Sequence, residues 1–571
     1  MKKLAEQYGD LAAPGIFLIF SLTLTPWLYN FPLNDDWAYA IGVKNLLEQG
    51  RFALCGWAAA TQLAHISAGA FFAAIFGFSF LTLKAYTLTA AAGTVFIFSK
   101  TLEEFDVAPV DRTLAALALA LNPLFLILAN SFMTDITYMF WMVLSSYLYI
   151  RHLRHGGAAT LLCASLFAAA AFLTRQLGIA IPLAYTLALA LERRLDIKTA
   201  LNAWLFPLAA MAGYMIWFKY FHGPTWASEN YVLSATLEYI SHPAAFASAA
   251  FYRFICSIIE TGFLLFPPAA GYLFLIMPGI GASAAVKVKR PDKNSGRKNR
   301  ADVARNPDFG VQNQTAARTA WFVIAALAVF ALINGPLPYL ENTFSGSGLG
   351  VLTVGGSQFK PSAFFASAIF WHAITALSVL SAGILAGLSR PALKTSDAPV
   401  KFVFAAAMLH MGISLIGSKF FDRYLLTWLP WFILAAALAA KKIRFSRPAA
   451  VLALVFMAAL GWTGVKDYMQ WNRAKWELAA KPRPDLKPEE IAGGFDHDAW
   501  FNYEKNMAYL KSFKPLKMIE EWEWQKVTDY KAMTSFNPQT GLTTIDKIEY
   551  ATPLYPGKGQ IYLLNLPKRK P

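Results

Sequence analysis

The sequence predicts an α-helical, multi-pass membrane protein with a small mixed α and β domain at its C-terminal end, and three observations carry that expectation. The 571 residues are 56% hydrophobic, 15% aromatic and only 15% charged, too apolar a balance for a soluble protein of this size. Apolar stretches long enough to cross a bilayer recur along most of the chain. Much of the Lys and Arg sits in short loops between those stretches: Arg151 and Arg154, then Arg193, Arg194 and Lys198, the run 287–305, and Lys441, Lys442, Arg444 and Arg447. That placement is the signature of cytosolic loops, so the net charge of +16 reads as topology and no nucleic-acid partner is expected.

Taken in order, residues 11–30 form the first span. Lys2 and Lys3 precede it and place the N-terminus in the cytosol. No small-residue cleavage site follows, which predicts a retained span instead of a signal peptide. Further spans are expected near 83–100, 112–130, 134–150, 158–175, 176–191, 200–220, 254–282, 319–338, 363–388, 402–418, 423–440 and 448–465, about thirteen in all. The apolar stretch 63–80 is read as a juxtamembrane or re-entrant helix, because counting it as a span reverses every later loop and moves Arg151 and Arg154 outside. The outer face then receives 31–80, the 130–135 turn, 221–253, 339–362, the 419–423 turn and 466–571.

Two segments differ in kind from the spans. Residues 284–318 are poor in apolar and rich in basic residues, which predicts a basic cytosolic loop suited to an anionic lipid surface. From 466 onward the chain is polar, contains Pro482, Pro484 and Pro488, and ends in the strand-like stretch 560–565. The expected division is therefore a membrane domain over 1–465 and an outer domain over 466–571. Cys55, Cys163 and Cys256 show no motif spacing, which excludes a Cys-based zinc site and argues against a disulfide framework.

The chemistry-bearing residues lie at the outer ends of the spans. Asp35 and Asp36 are adjacent carboxylates just after the first span; they suit a catalytic base at the membrane surface and equally an N-terminal helix cap. Asp135, preceded by Thr134, opens another span, where an ionisable group needs a partner unless it too is a cap. Arg175 lies between two apolar segments and suits either snorkelling to the interface or holding a phosphate. Asp422, Arg423 and Tyr424, with Lys419, form a fourth cluster, an interfacial salt bridge with an aromatic anchor or part of a site. Together, carboxylates and two separated cationic clusters on one side of a membrane can hold an anionic lipid head group and deprotonate an acceptor hydroxyl. A transporter or flippase of polyprenyl-linked sugars is the competing class, although transporters more often bury such groups near the bilayer midplane.

Other polar features carry less. The glycines of 346–350 and 355–356 lack the Lys-Ser/Thr and strand context of a phosphate loop and read as a lid over the site. Asp496, His497 and Asp498 are consecutive and share no helix face, and His65 has no His or Cys neighbour in sequence, so no metal site is expected.

In order and spacing these residues resemble the GT-C glycosyltransferases related to protein O-mannosyltransferases and to the lipid A aminoarabinose transferase. Asp35-Asp36-x-x-Tyr39-Ala40 is similar to that family's Asp-Glu-x-x-Tyr-Ala, Met133-Thr134-Asp135 to its second acidic motif, Leu173-Thr174-Arg175 to its Leu-Thr-Lys, and Arg423-Tyr424-Leu425-Leu426 with Pro430 to its Arg-Tyr-Leu-Leu segment. The agreement covers roughly 1–465, and its specificity lies in the ordered set. The resemblance implies an inverting transferase in a bacterial inner membrane, with the C-terminal domain in the periplasm. It would take a sugar from a polyprenyl-phosphate donor and pass it to a lipopolysaccharide, glycan or protein acceptor. It implies Asp35 as the base, Asp36 and Asp135 as shaping the acidic site, and Arg175, Arg423 and Tyr424 at the donor phosphate. It points to no definite cofactor and leaves open whether a divalent cation assists. The chain departs from the pattern at Thr61-Gln62-Leu63-Ala64-His65, where relatives carry a Lys-Pro-Pro-Leu-like segment; Gln62 and His65 either replace those donor contacts or only face the interface, and with the matching Tyr39 they are the candidates for substrate binding.

Overall fold

Apolar helices broken by prolines and short polar caps build the membrane part of the protein. The computed structural model describes residues 2–232, 239–276, 307–356, 367–393, 397–417, 419–441, 443–553 and 557–567. Most of the basic loop expected at 284–318 lies outside the described residues. The membrane helices are α1 (Lys2–Leu22), α2 (Asp36–Gln49), α3 (Leu63–Phe76), α4 (Phe80–Glu104), α5 (Pro109–Ala120), α6 (Pro123–Ala129), α7 (Thr134–His155), α8 (Ala158–Thr174), α9 (Ala180–Leu191), α10 (Ile197–Trp217), α11 (Pro243–Leu264), α12 (Phe266–Ala270), α13 (Pro307–Asn334), α14 (Ala368–Leu393), α15 (Ala398–Ile416), α16 (Leu429–Ala439) and α17 (Arg447–Ala480).

Among the described residues, 8 helices are long and apolar enough to cross a membrane, or 9 if the bent pair α5 and α6 is one span. This makes a multi-pass membrane protein, with several of the expected spans shorter or bent. The stretch 112–130 bends by 66° between α5 and α6. There Asn122 accepts the Leu124 N–H at 3.1 Å and Pro123 occupies the first helical position, so a new helix starts. The stretch 423–440 begins as a 3-10 turn over Asp422–Thr427, leaving only 11 residues for α16. Helix α3, the stretch read as juxtamembrane, has 14 residues.

Ion pairs gather the basic loops on one face. Asp10 of α1 pairs with Lys100 and, at 3.2 Å, with Arg112. Arg151 meets Glu104 at 3.3 Å, Arg154 meets Asp397 at 3.8 Å, Lys401 pairs with Glu192, and Arg447 grips Asp111 with two bonds of 2.7 and 3.0 Å. All the short basic loops that the structure describes thus meet at one end of the bundle.

From that end α17 runs unbroken for 34 residues, about 51 Å at 1.5 Å per residue, and emerges on the opposite face. Position 465, the expected domain boundary, falls inside it. The C-terminal domain is packed on its last turns: α18 (Phe495–Lys511) with a sheet of β3 (Ile491–Ala492), β4 (Ala532–Ser535), β5 (Thr544–Ala551) and β6 (Lys558–Asn565), once the hairpin β1 (Phe344–Ser345) and β2 (Gly348–Leu349) is counted first. The sheet order is β3-β4-β6-β5, with β3 and β4 parallel and β6 antiparallel to both neighbours.

The glycine-rich segment expected as a lid is instead tied down. Its hairpin pairs Phe344 with Leu349, and Asp422 accepts the backbone N–H groups of Thr343, at 2.8 Å, and Phe344. Just upstream, Glu260 of α11 accepts those of Tyr339 and Leu340, each at 2.9 Å. Gly350 has φ +91, and a Cβ there would lie 2.2 Å from the Tyr468 ring, so only glycine lets the segment pass against α17.

Candidate active site

The site forms where the start of α2, the start of α7, the end of α8 and the turn before α16 meet, on the face that carries the C-terminal domain. Asn34 takes φ 49, a conformation Asn tolerates better than most residues. The resulting turn closes with Asp36 N–H bonded to Leu33 O at 3.0 Å and Leu33 N–H bonded back to Asp36 Oδ2 at 3.1 Å. It turns the two adjacent carboxylates to different neighbours.

Asp36 is fully buried, and the cation facing it is Lys84 of α4. Lys84 is held by the carbonyls of Tyr29 and Phe31 at 3.0 and 2.7 Å. Asp35 faces the site. Its Oδ1 accepts Trp57 Nε1–H at 3.0 Å, and its Oδ2 lies 3.8 Å from Arg423 Nη2. Burial, outweighing the pull of Arg423 and of the Trp57 hydrogen bond, holds the Asp35 carboxyl above the usual carboxylate range. Burial also raises Asp36, against the pull of Lys84.

A second carboxylate and guanidinium complete the arrangement. Asp135, in the first turn of α7, pairs with Arg175, the residue that closes α8 in extended conformation. The Arg175 guanidinium lies over the Tyr424 ring at 5.1 Å, and that of Arg423 over the Phe421 ring at 5.0 Å. Both arginine side chains are about nine-tenths buried, with exposures of 11% and 10%. The Tyr39 ring meets His65 edge-on at 5.4 Å.

Several polar atoms here are buried without a partner. They are Asp135 Oδ2, Thr134 Oγ1, Arg423 Nε and both amide atoms of Gln62. Buried polar groups are normally hydrogen-bonded, so this cluster of unused donors and acceptors marks a place built to receive a polar group.

The structure therefore brings Asp35, Asp135, Arg175, Arg423, Tyr424 and Tyr39 together. It sets Asp36 behind them on Lys84. Gln62 and His65 lie beside the site but differ in state. The two ring nitrogens of His65 are engaged by Thr137 Oγ1 at 2.8 Å and Phe132 O at 3.1 Å, whereas the Gln62 amide is free.

Sequence reasoning missed Lys84 and Trp57. A cation inside an otherwise apolar helix is itself a signal that a buried anion faces it, and Lys84 could have been found that way. Nothing local in sequence marks Trp57. The consecutive Asp496, His497 and Asp498 serve packing: Asp496 pairs with Lys475 and accepts Trp476 Nε1–H at 3.1 Å, and Asp498 accepts the Gly493 N–H at 2.8 Å.

No family model matches the chain, and no curated protein matches it. Among solved structures it is similar to ArnT from Cupriavidus metallidurans. With the apo form it shares 13% identity over 97% of this chain and 98% of that one, with a TM-score of 0.36. With the form bound to undecaprenyl phosphate it shares 12% identity over the same fractions, with a TM-score of 0.34.

Proposed function

We propose that this protein is a GT-C type glycosyltransferase that moves a sugar from a polyprenyl-phosphate donor to an acceptor, by one displacement with inversion at the anomeric carbon. The observation that carries the reading is the paired arrangement of Asp35 with Arg423 and Asp135 with Arg175, two buried acid–base pairs whose hydrogen-bonding capacity is not used up. The Asp35–Arg423 contact is loose at 3.8 Å, so the guanidinium has donors to offer a phosphate.

In this reaction the acceptor's oxygen or nitrogen forms a bond to the anomeric carbon as the bond from that carbon to the phosphate oxygen breaks. The leaving phosphate keeps the electron pair, and Arg175 and Arg423 offset its developing charge. The acceptor proton passes to Asp35, which burial makes a stronger base than an exposed carboxylate. Asp36 and Lys84 fix the turn that presents Asp35. Tyr39 and Gln62 are the residues we assign to the sugar, Gln62 for its unused amide. The acceptor class we favour is a lipopolysaccharide, glycan or protein group at the outer face of a bacterial inner membrane.

The direct test offers purified protein a panel of undecaprenyl phosphate-linked glucose, mannose, galactose and aminoarabinose, and follows release of undecaprenyl phosphate. Release from at least one donor is expected. No release from any, with or without membrane glycolipid as acceptor, counts against the reading.

Two further results are expected. In a Cys163→Ser background, a cysteine at Ser512 of the exposed C-terminal domain should react with an impermeant thiol reagent added to intact cells, and one at Lys198 should not; the reverse pattern would put the site on the wrong side. Arg175→Lys should weaken undecaprenyl phosphate binding about tenfold and Arg175→Ala further, since a hydrogen bond to a charged group is worth roughly 1.5–3 kcal/mol. Unchanged binding in both variants would return Arg175 to a purely structural partner of Asp135.

A further inference from the structure

Trp57 lies in a segment, 50–62, without helix or strand, yet its ring is held on several sides. It stacks on Trp226 at 5.4 Å with the planes 5° apart, and meets Trp522 at 5.3 Å, Phe495 at 5.4 Å and Tyr503 at 6.1 Å. Phe495, Tyr503 and Trp522 all belong to the C-terminal domain. Trp226 is fastened to the same domain by its Nε1–H, which donates to Ile519 O at 2.8 Å. The one polar atom of Trp57 reaches the other way, to Asp35 Oδ1 at 3.0 Å.

Resting on the function proposed above, we propose that Trp57 is a positioning residue for the base: its N–H fixes Asp35 Oδ1, and the ring cluster of the C-terminal domain fixes Trp57. The domain is then a working part of the site, although none of its carboxylates touches Asp35. A carboxylate with only Arg423 as neighbour could rotate about its side-chain bonds. One held at Oδ1 by a neutral donor at 3.0 Å, with a cation 3.8 Å from Oδ2, presents a fixed direction to an incoming proton. Large aromatic rings suit this role because they cover wide area with few rotatable bonds.

The charged and titratable groups around Asp35 are Asp36 on its own turn with Lys84 of α4 behind it, Asp135 of α7 with Arg175, and Arg423 before α16. Tyr39 of α2, Cys55 and Tyr468 of α17 also feel its charge. None of these groups donates a hydrogen bond to Asp35; among the described residues its side-chain donor is the uncharged Trp57. That bond favours the ionised carboxylate, so its loss raises the pH at which Asp35 deprotonates.

Trp57→Phe keeps the ring and removes the donor. With any donor of the panel that the unmodified protein turns over, kcat should fall about tenfold at neutral pH, the effect of one hydrogen bond to a charged group. KM for the donor should stay within about twofold, and the acid limb of the kcat profile should move up by about one pH unit. Trp522→Leu, a change at a half-exposed ring, should shift the limb the same way by less. Independently of turnover, pH-difference infrared spectra of the full-length protein, with the Asp35 band identified by its loss in Asp35→Asn, should show the carboxyl titrating higher in Trp57→Phe. An unmoved Asp35 titration in that variant overturns the inference even if donor is turned over. A shifted titration supports it even if no panel donor reacts, which would sink the glycosyltransferase reading alone. A loss of kcat and donor affinity together, with a lowered melting temperature and no shift in Asp35, assigns Trp57 to packing and also overturns it.

Discussion

Asp35→Asn should bind undecaprenyl phosphate as the unmodified protein does and turn over a glycosylated donor about 10² to 10⁴ times more slowly, the usual contribution of a general base. The side-chain amide has the size of the carboxylate and can still accept the Trp57 N–H, so the turn at Leu33–Asp36 is undisturbed. What is lost is the ability to take a proton. Donor binding measured on the same preparation separates this from misfolding. A flippase would behave otherwise, moving the polyprenyl-linked sugar across vesicles with Asp35→Asn in place and giving no glycosylated product with either protein. Full activity in Asp35→Asn would remove the base assignment. Asp36→Asn should fail differently, through the packing around Lys84, because the cation facing Asp36 is Lys84.

The largest stability effect is expected at Lys475. Its ammonium and the Asp496 carboxylate are wholly buried against one another where α17 enters the C-terminal domain. The ammonium also donates to Thr353 Oγ1 at 2.9 Å, which ties in the segment that follows the pinned hairpin. Lys475→Met strands the Asp496 charge in the interior and should cost about 3–5 kcal/mol, as removal of one member of a buried pair does. Pairing it with Asp496→Leu should recover most of the loss, because two apolar side chains of similar volume need no charge partner. Chemical or thermal unfolding of the detergent-solubilised protein, followed by tryptophan emission from the C-terminal rings, reads this directly. A single variant as stable as the parent would mean water reaches the pair.

The membrane class, the grouping of Asp35, Asp135, Arg175 and Arg423 at one end of the bundle, and the gathering of basic loops at the other end were legible in the sequence, each for a stated reason. Apolar runs report spans because unpaired backbone is intolerable in lipid, and Arg or Lys loops report sides because charges resist translocation. Span count was less legible. A run such as 112–130 has the composition of one span, but its Asn122-Pro123 pair starts a second helix at an angle, a local instruction that hydropathy averages away. The Arg175 and Arg423 turns likewise cut long apolar runs into short helices.

Partnerships were the least legible. Asp35 and Trp57 lie 22 positions apart, with helix α2 and an irregular segment between them, and Lys84 and Asp36 belong to different helices, so no periodicity links them. The glycine-rich segment misled for a related reason. Composition reports the freedom of an isolated chain, whereas the conformation of 339–350 is set by two distant carboxylates, Glu260 and Asp422.

The strand order has a consequence for how the protein is made. Strand β6 is the latest of the sheet to leave the ribosome, yet it occupies an inner position between β4 and β5. Until it has been synthesised, β4 and β5 have no common neighbour and the C-terminal domain cannot close its sheet. The rings around Trp57 depend on that domain, so all the membrane helices can be inserted while Asp35 still lacks its fixed partner. Packing of the membrane helices and closure of this sheet are thereby separate events, and the ring cluster that holds Trp57 against Asp35 waits for the second.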